Sequence, residues 1–478
     1  MVFILLECTI FLALWVLYYV APEHISRGHL FCVIILAFLS YLLLYFNART
    51  KKHFRNNFLS NSNIFLILYV VVSFQFPLDY ALGNQLLDFS KYFYKESIIN
   101  LSTTFNAMCL VAFVLGIMVV SFKKDTAVRC SPASEKVIPL KPLLRIMMFC
   151  WVVFLVFLNP AYVKGGHGTV LVDNTSIAFY GYFWRLNILY LAIDLVNCYR
   201  IKKCRTNSFI SVLKRHPIYY WVVILISAAL FFSANNRVYT LYLLVPTFFY
   251  FLSILKFKTK PLKSILILGT IAVFFTLFKI YGIDKMFLDS SNLNVSELEF
   301  YDRFSSISPF TAELACSVLA DSAMFYIWYT QGIVIFASTI VYGVLRVVSG
   351  LIPLFYMVTG LSDATYSSGS FITKQLHASY GLGSSATGDM LISLGFVPTL
   401  IMMYIFGMFC YRSDRVLFAR RYGEKQIIIG LAIASQVAFV ARASLCDVIA
   451  TIIFCLLFFK IYLRLIKIRN NENFTNYR

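Results

Sequence analysis

Long apolar stretches recur from one end of this sequence to the other. A helix needs about 20 mostly apolar residues to cross the hydrocarbon core of a bilayer. Because backbone groups in lipid must be hydrogen-bonded within their own segment, such stretches are constrained to be spanning helices. We predict an all-α polytopic bundle of about 12 spans, forming one transmembrane domain over residues 1–478. The twelve stretches are 2–20, 29–46, 63–80, 101–122, 143–160, 177–198, 217–234, 238–255, 264–281, 388–411, 426–441 and 444–463.

The composition agrees with a membrane protein and excludes several other classes. Hydrophobic residues make up 60% of the chain and charged residues 13%, whereas a soluble domain has about 45–50% and about 25%. An ordinary soluble enzyme, a disordered chain and a disulfide-rich secreted domain are therefore excluded. Eleven Cys and six His show no metal-ligand spacing, and no Gly-rich phosphate loop occurs. We expect no metal and no cofactor.

The distribution of basic residues predicts the orientation of the spans. The formal net charge is +20, from 42 Lys and Arg against 22 Asp and Glu. Cytoplasmic loops of membrane proteins are enriched in Lys and Arg, so both termini are expected in the cytoplasm. The positive charge is then a topology signal, and nucleic acid is not an expected partner. Of the 42 basic residues, 28 fall in the alternate loops 47–62, 123–142, 199–216, 256–263, 412–425 and 464–478.

One large segment, residues 282–387, is expected on the non-cytoplasmic face. A long loop without structure is uncommon, so this segment is expected to carry structure and function. Its apolar part, 324–359, has two readings. It forms either interfacial or re-entrant helices, or an additional pair of spans that would raise the total to 14.

The end of this segment is rich in Gly and Ser. Glycines allow a backbone to approach a ligand closely, and Gly381, Gly383, Ser384 and Ser385 are therefore candidates for a substrate loop. Two nearby groups are candidate acid–base residues. His377 has the pKa range to accept a proton near neutral pH, and Asp389 begins the tenth span. The alternatives are a surface histidine and a carboxylate placed at a helix start.

Four arginines are candidate anion-binding residues on the non-cytoplasmic side. Arg237 and Arg442 each lie at a tight turn between two spans, Arg303 lies early in the long segment, and Arg185 falls within the sixth span beside Trp184. Guanidinium groups bind phosphate through paired donors. If these arginines converge, they would bind a lipid-linked phosphate or pyrophosphate. Arg237 would otherwise reach the lipid headgroups, and Arg185 would form a structural cation–π contact.

At these residues the chain resembles the O-antigen polymerase (Wzy) family, membrane enzymes that polymerise oligosaccharide repeat units. The resemblance rests on N-N-R at 235–237, on G-L-I-P at 350–353 and on Y-G-L-G-S-S-A-T-G-D-M-L-I-S-L-G-F-V-P at 380–398. In the family, a Gly/Ser-rich loop precedes an acidic residue and a helix that contains Gly. Here Asp389 occupies the position where Glu is more usual, and Gly395 supplies the helical glycine. The turn with Arg442 also fits the family's layout.

The resemblance implies a glycosyltransferase of the bacterial inner membrane with its active face in the periplasm, similar to GT-C-like membrane glycosyltransferases. Its substrates would be undecaprenyl-pyrophosphate-linked glycans, polymerised into O-antigen or capsular polysaccharide. The arginines would stabilise the departing pyrophosphate, and His377 or Asp389 would act on the acceptor hydroxyl. A chain-length regulator and a flippase would be partners. Two alternatives stay open: an O-antigen ligase-type enzyme, and a transporter or flippase of lipid-linked glycans.

Overall fold

The structure is a computed structural model, and it describes most of the chain. The described residues are 2–83, 96–122, 137–160, 174–200, 208–233, 237–255, 259–270 with three single gaps, 311, 317–335, 338–348, 351–360, 368–375, 385–419, 423–442 and 444–475.

This part of the chain is helical. Its first ten helices are α1 Val2–Tyr19, α2 Arg27–Phe46, α3 Ala48–Asn56, α4 Asn61–Ala81, α5 Ser97–Phe122, α6 Lys141–Val156, α7 Asn174–Arg200, α8 Phe209–Leu213, α9 Ile218–Ser233 and α10 Arg237–Ile254. Eight more follow: α11 Ser317–Gln331, α12 Ser338–Leu345, α13 Leu351–Thr359, α14 Ser368–Gln375, α15 Ala386–Leu394, α16 Phe396–Ala419, α17 Glu424–Val440 and α18 Cys446–Thr475.

Six of these helices are long and apolar enough to cross a membrane, judged by length and composition. They are α1, α2, α4, α5, most of α16 and the first 21 residues of α18. Two shorter apolar segments lie in α9 and α10. The described residues therefore form an all-helical membrane protein. The total of twelve spans and their orientation stay predictions. Most of the predicted ninth span, 264–281, lies outside the described residues.

The expectation of a continuous tenth span from residue 388 is wrong. Two helices occupy this region, α15 and α16, and they meet at Gly395. The backbone of Gly395 has a φ of +90°, which L-residues with side chains rarely adopt and which ends the helix. The predicted helical glycine therefore lies between two helices rather than inside one. The apolar segment 324–359 is also interrupted, because α11, α12 and α13 are each shorter than a spanning helix.

The centre of the bundle is the crossing of α5 and α16. A Cβ atom added at Gly116 would lie 2.1 Å from the carbonyl oxygen of Tyr404, and one added at Gly407 would lie 2.1 Å from that of Phe113. Glycines on both helices thus allow the two backbones to touch. Small residues serve this purpose at helix crossings in membranes, where close packing replaces the hydrophobic driving force.

Two buried aspartates fix other helices to one another. Asp414 of α16 accepts hydrogen bonds from the backbone N–H of Asn61 at 2.6 Å and of Ser62 at 3.1 Å, and so caps α4 from another helix. Asp194 of α7 accepts two hydrogen bonds from Arg215, at 3.0 and 3.1 Å. Asp194 also accepts one from the Tyr250 hydroxyl at 2.5 Å. Both carboxylates satisfy the rule that a buried charge must be paired or hydrogen-bonded.

A series of polar contacts joins several helix ends at one end of the bundle. Asn100 at the start of α5 donates to the carbonyl oxygens of Pro22 and His24 in the turn between α1 and α2, at 3.0 and 2.8 Å. Farther along α5, the Ser102 and Ser322 hydroxyls lie 2.8 Å apart, which connects α5 to α11. We call this end of the bundle the site end, because the polar groups described next lie there.

Candidate functional site

Two arginines and one aspartate meet where α7, α12 and α18 approach one another. Arg346, which follows α12, forms an ion pair with Asp447 in the first turn of α18. Arg185 of α7 donates from Nη1 to the backbone carbonyl oxygen of Arg346 at 2.6 Å. Arg185 is only 6% exposed, and its Nε has no hydrogen-bond partner. One guanidinium group, that of Arg346, therefore pairs with the carboxylate, and the second, that of Arg185, bonds to the backbone of Arg346. The buried Nε donor of Arg185 is left without a partner.

Aromatic rings surround this arginine cluster, which we define as Arg185, Arg346 and Asp447. The Arg185 guanidinium lies 5.0 Å from the ring centre of Trp184 and 5.6 Å from that of Phe454. Tyr242 of α10 stacks on Trp184, with the ring centres 4.7 Å apart. The cation–π contact that the sequence suggested for Arg185 is therefore present. Such contacts hold the planar cation in one orientation in a weakly polar environment.

A glycine allows α12 to approach α18 closely enough for the ion pair to form. A Cβ atom added at Gly343 would lie 2.6 Å from the Cβ of Cys446 and 3.1 Å from its carbonyl oxygen. Arg346 follows Gly343 by three residues, and Asp447 follows Cys446 directly. The contact between the two backbones therefore sets the distance between the two charged side chains.

Asp389 lies close to the arginine cluster, in the first turn of α15. Its Oδ2 accepts a hydrogen bond at 2.5 Å from the hydroxyl of Ser444, which lies in the turn between α17 and α18. Its Oδ1 has no partner, and the residue is fully buried. The helix α15 is not among the candidate spans. Burial raises the pKa of the Asp389 carboxyl group to about 6. A group of this kind suits proton transfer near neutral pH.

Ser385 caps the N-terminus of the same helix. Its hydroxyl accepts a hydrogen bond from the N–H of Gly388 at 3.1 Å and lies 2.9 Å from the Thr387 hydroxyl. Ser is favoured at this position because its side chain replaces a missing backbone acceptor. Ser385 is fully buried, so in this structure it fixes the start of α15 rather than lining an open substrate loop.

The structure brings some of the predicted site residues to the site end, and others lie outside the described residues. Arg185 and Asp389 both belong to the site end, and Arg442 lies there too, half-buried and two residues before Ser444. The fourth residue, Arg237, is the first residue of α10, whose early residue Tyr242 contacts Trp184. The remaining predicted residues, Arg303, His377, Gly381, Gly383 and Ser384, lie outside the described residues.

Arg346, Asp447 and Ser444 were not among the residues predicted for the site, and the buried Asp321 was not predicted either. Arg346 is a lone arginine within the apolar segment 324–359, and Asp447 opens an apolar span, so the rule that selected Arg185 would also have selected them. Asp321 of α11 is a buried acid in another apolar helix. Ser444 carries no signal of its own, because a serine in a turn is ordinary.

Comparison with known proteins gave no match to a protein-family model, a curated protein or a solved structure. Within the described residues, no group of three or more His, Cys, Asp or Glu is placed to hold a metal ion. The fold and the site together define a class: a helical membrane protein with an arginine cluster and a buried carboxylate, Asp389, at one end of its bundle.

Proposed function

We propose that the chain is a membrane glycosyltransferase that polymerises lipid-linked oligosaccharide repeat units, with a polyprenyl pyrophosphate as the leaving group. The observation that carries the proposal is the arginine cluster, in which two guanidinium groups lie together with a single carboxylate, and only Arg346 is paired with it. An anion would complete the charge balance and would accept the free Nε donor of Arg185. Phosphate and pyrophosphate are anions that guanidinium groups bind through two parallel donors.

The lipid part of such a substrate would have a place beside the cluster. An apolar groove runs between α16, α17 and α18 and begins at Leu445 and Val448, which adjoin Ser444 and Asp447 in the chain. A phosphate group held by the arginines would therefore have its hydrocarbon tail next to an apolar surface. The groove is also lined by Met402, Ile405, Phe406, Phe409, Ile433, Ile449, Ile452 and Ile453.

The proposed reaction assigns a role to each buried group. The hydroxyl of the acceptor sugar attacks the anomeric carbon of the donor glycan, and the bond from that carbon to the pyrophosphate oxygen breaks. The leaving pyrophosphate gains negative charge, which Arg185 and Arg346 would stabilise because they are already fixed in place. Asp389 would take the proton of the acceptor hydroxyl. Because Asp389 is fully buried, an acceptor can reach it only after the residues around it move.

The experiment is complementation of cells that lack this gene, followed by gel analysis of the surface polysaccharide. Arg346→Gln and Arg185→Gln are expected to remove the ladder of long chains while single repeat units stay attached. Arg346→Lys keeps the charge but loses the paired donors, so shortened chains are expected. Membrane immunoblots verify that each variant accumulates. The matched control is Arg27→Gln, since Arg27 is an exposed arginine that also packs on an aromatic ring, at 5.2 Å from the centre of Tyr80.

Three results would contradict the proposal, favour another function or invalidate the assay. A normal ladder in both Gln variants, at normal protein levels, would refute the role of the arginine cluster. Loss of every repeat unit, including single ones, would favour a flippase or ligase over a polymerase. A ladder lost equally in the Arg27→Gln control would show that the assay reports damage to the membrane protein in general.

A further inference from the structure

Buried polar side chains lie on α4, α5 and α11, which pack against one another beside α15. On each helix the two residues are three or four positions apart, which places them on one face. All six are at most 3% exposed: Tyr69 and Ser73 on α4, Thr103 and Asn106 on α5, and Ser317 and Asp321 on α11. We call this group the polar cluster.

The polar cluster holds an unusual concentration of unpaired atoms. The hydroxyl oxygens of Ser73, Thr103 and Ser317 have no hydrogen-bond partner. The carboxylate of Asp321 has the hydroxyl and backbone N–H of Ser385 beside it, but neither forms a hydrogen bond of normal distance and angle with it. Buried polar atoms are paired in the great majority of cases, and each exception requires an explanation. Here the exceptions come from three helices that pack against one another, and Asp321 is the one acidic group among them.

No cation among the described residues neutralises Asp321. Asp321 takes part in none of the ion pairs found there. The groups that influence or lie beside its carboxylate are Tyr69 of α4, Cys109 of α5 and Ser385 of α15, all uncharged at neutral pH. A buried ionised carboxylate without a counter-charge is strongly unfavourable, so it requires a bound cation or a proton.

A glycine brings the carboxylate close to the backbone of α15. A Cβ atom added at Gly388 would lie 2.9 Å from Asp321 Oδ1 and 2.6 Å from the terminal methyl group of Met324. Asp389 directly follows Gly388 in the chain. A ligand bound in the polar cluster would therefore also contact or stabilise the start of α15, the helix that carries Asp389.

We propose that the polar cluster is a binding site for one monovalent cation, Na⁺, with Asp321 as its charged ligand and hydroxyl groups as neutral ligands. The available ligands are hard oxygens, which excludes a preference for softer transition metals. One carboxylate balances one positive charge, whereas Ca²⁺ and Mg²⁺ sites in proteins use more carboxylates or keep several waters. The site is independent of the glycosyltransferase proposal, because it rests on α4, α5 and α11.

The test is thermal unfolding of the full-length protein in detergent, followed by its intrinsic tryptophan fluorescence. NaCl, KCl and choline chloride are compared at equal ionic strength and at pH 8. We expect a saturable rise in Tm of a few degrees that is specific to Na⁺, because a ligand that binds only the folded state stabilises it. The rise should be absent in Asp321→Asn.

Glu7→Gln is the matched control, since Glu7 is another fully buried carboxylate with one unpaired oxygen, on α1. It should keep the Na⁺ response. If Asp321→Asn fails to accumulate, Ser317→Ala serves instead, and the Na⁺ concentration at half-saturation should rise at least threefold. The proposal is overturned if the wild-type response is equal for all three salts, if it persists in Asp321→Asn, or if Ser317→Ala leaves the half-saturation point unchanged.

Discussion

The close contact between α12 and α18 makes Gly343→Ala an informative perturbation. The new Cβ atom would lie 2.6 Å from the Cβ of Cys446. Carbon atoms pack at about 3.5–4.0 Å, so the two helices must separate by about 1 Å. Arg346 and Asp447 lie within one turn of this contact, and the arginine cluster would widen by a similar distance.

The expected effect on function is larger than the effect on stability. A displacement of about 1 Å in a positioning group costs on the order of 100-fold in rate, whereas overpacking costs about 1–3 kcal/mol of stability. In complemented cells, Gly343→Ala should therefore accumulate in the membrane but produce few long polysaccharide chains. The assay is a gel of surface polysaccharide, read beside an immunoblot of the membrane fraction.

Two further variants separate this cause from general damage. Gly28→Ala is the control, because a Cβ atom at Gly28 would have no neighbour within 4 Å. In the double variant with Cys446→Gly, the clashing Cβ atom is removed, so part of the chain length should return. Long chains at the wild-type level in Gly343→Ala would refute the reasoning that this contact sets the geometry of the arginine cluster.

Three other predictions concern the rest of the structure. Gly407→Ala places a Cβ atom 2.1 Å from the Phe113 carbonyl oxygen, so immunoblots should show loss of the protein from the membrane fraction. Normal accumulation of this variant would contradict the close crossing of α5 and α16. Asp414→Ala removes the cap of α4, and each N–H left unpaired costs about 1–3 kcal/mol; an unchanged Tm would contradict the cap. The third prediction concerns Asp321, whose helix is not among the candidate spans. Burial raises its pKa from 3.8 to about 7. Ionisation of Asp321 then opposes folding, because the folded state binds the proton more tightly than the unfolded state. Without Na⁺, the wild-type Tm should therefore fall relative to that of Asp321→Asn as pH rises through this range. If Tm depends on pH in the same way in both proteins, the prediction is contradicted.

Helix positions were largely predictable from the sequence. The stretch 29–46 corresponds to α2 at Arg27–Phe46, and 238–255 corresponds to α10 at Arg237–Ile254. These agreements follow from the length of apolar sequence that a span requires. Gly395 shows the limit of this rule, because apolar residues continue on both sides of it while the backbone conformation of one residue ends the helix.

The site was only half predictable, for a physical reason. Arg185 stood out because an ionisable residue in an apolar segment is costly, and Asp389 because it is an acidic residue that follows the Gly/Ser-rich stretch at the start of a predicted span. The same rule could have selected Arg346 and Asp447 one by one, but not their pairing, since the two residues lie 101 positions apart in the chain. Such pairs depend on which helices pack together. In this protein, that packing depends on Gly343, whose role appears only when the distance to Cys446 is known.

The central proposal is that the arginine cluster assists the departure of a lipid pyrophosphate. The most direct measurement uses the purified protein in vesicles, with lipid-linked repeat units extracted from cells that lack this gene. We predict that the wild-type protein forms polymer and releases polyprenyl pyrophosphate. Arg346→Gln and Arg185→Gln should do neither, while Arg27→Gln should match the wild type. Equal polymer formation by all four proteins, or none by the wild type, would contradict the account.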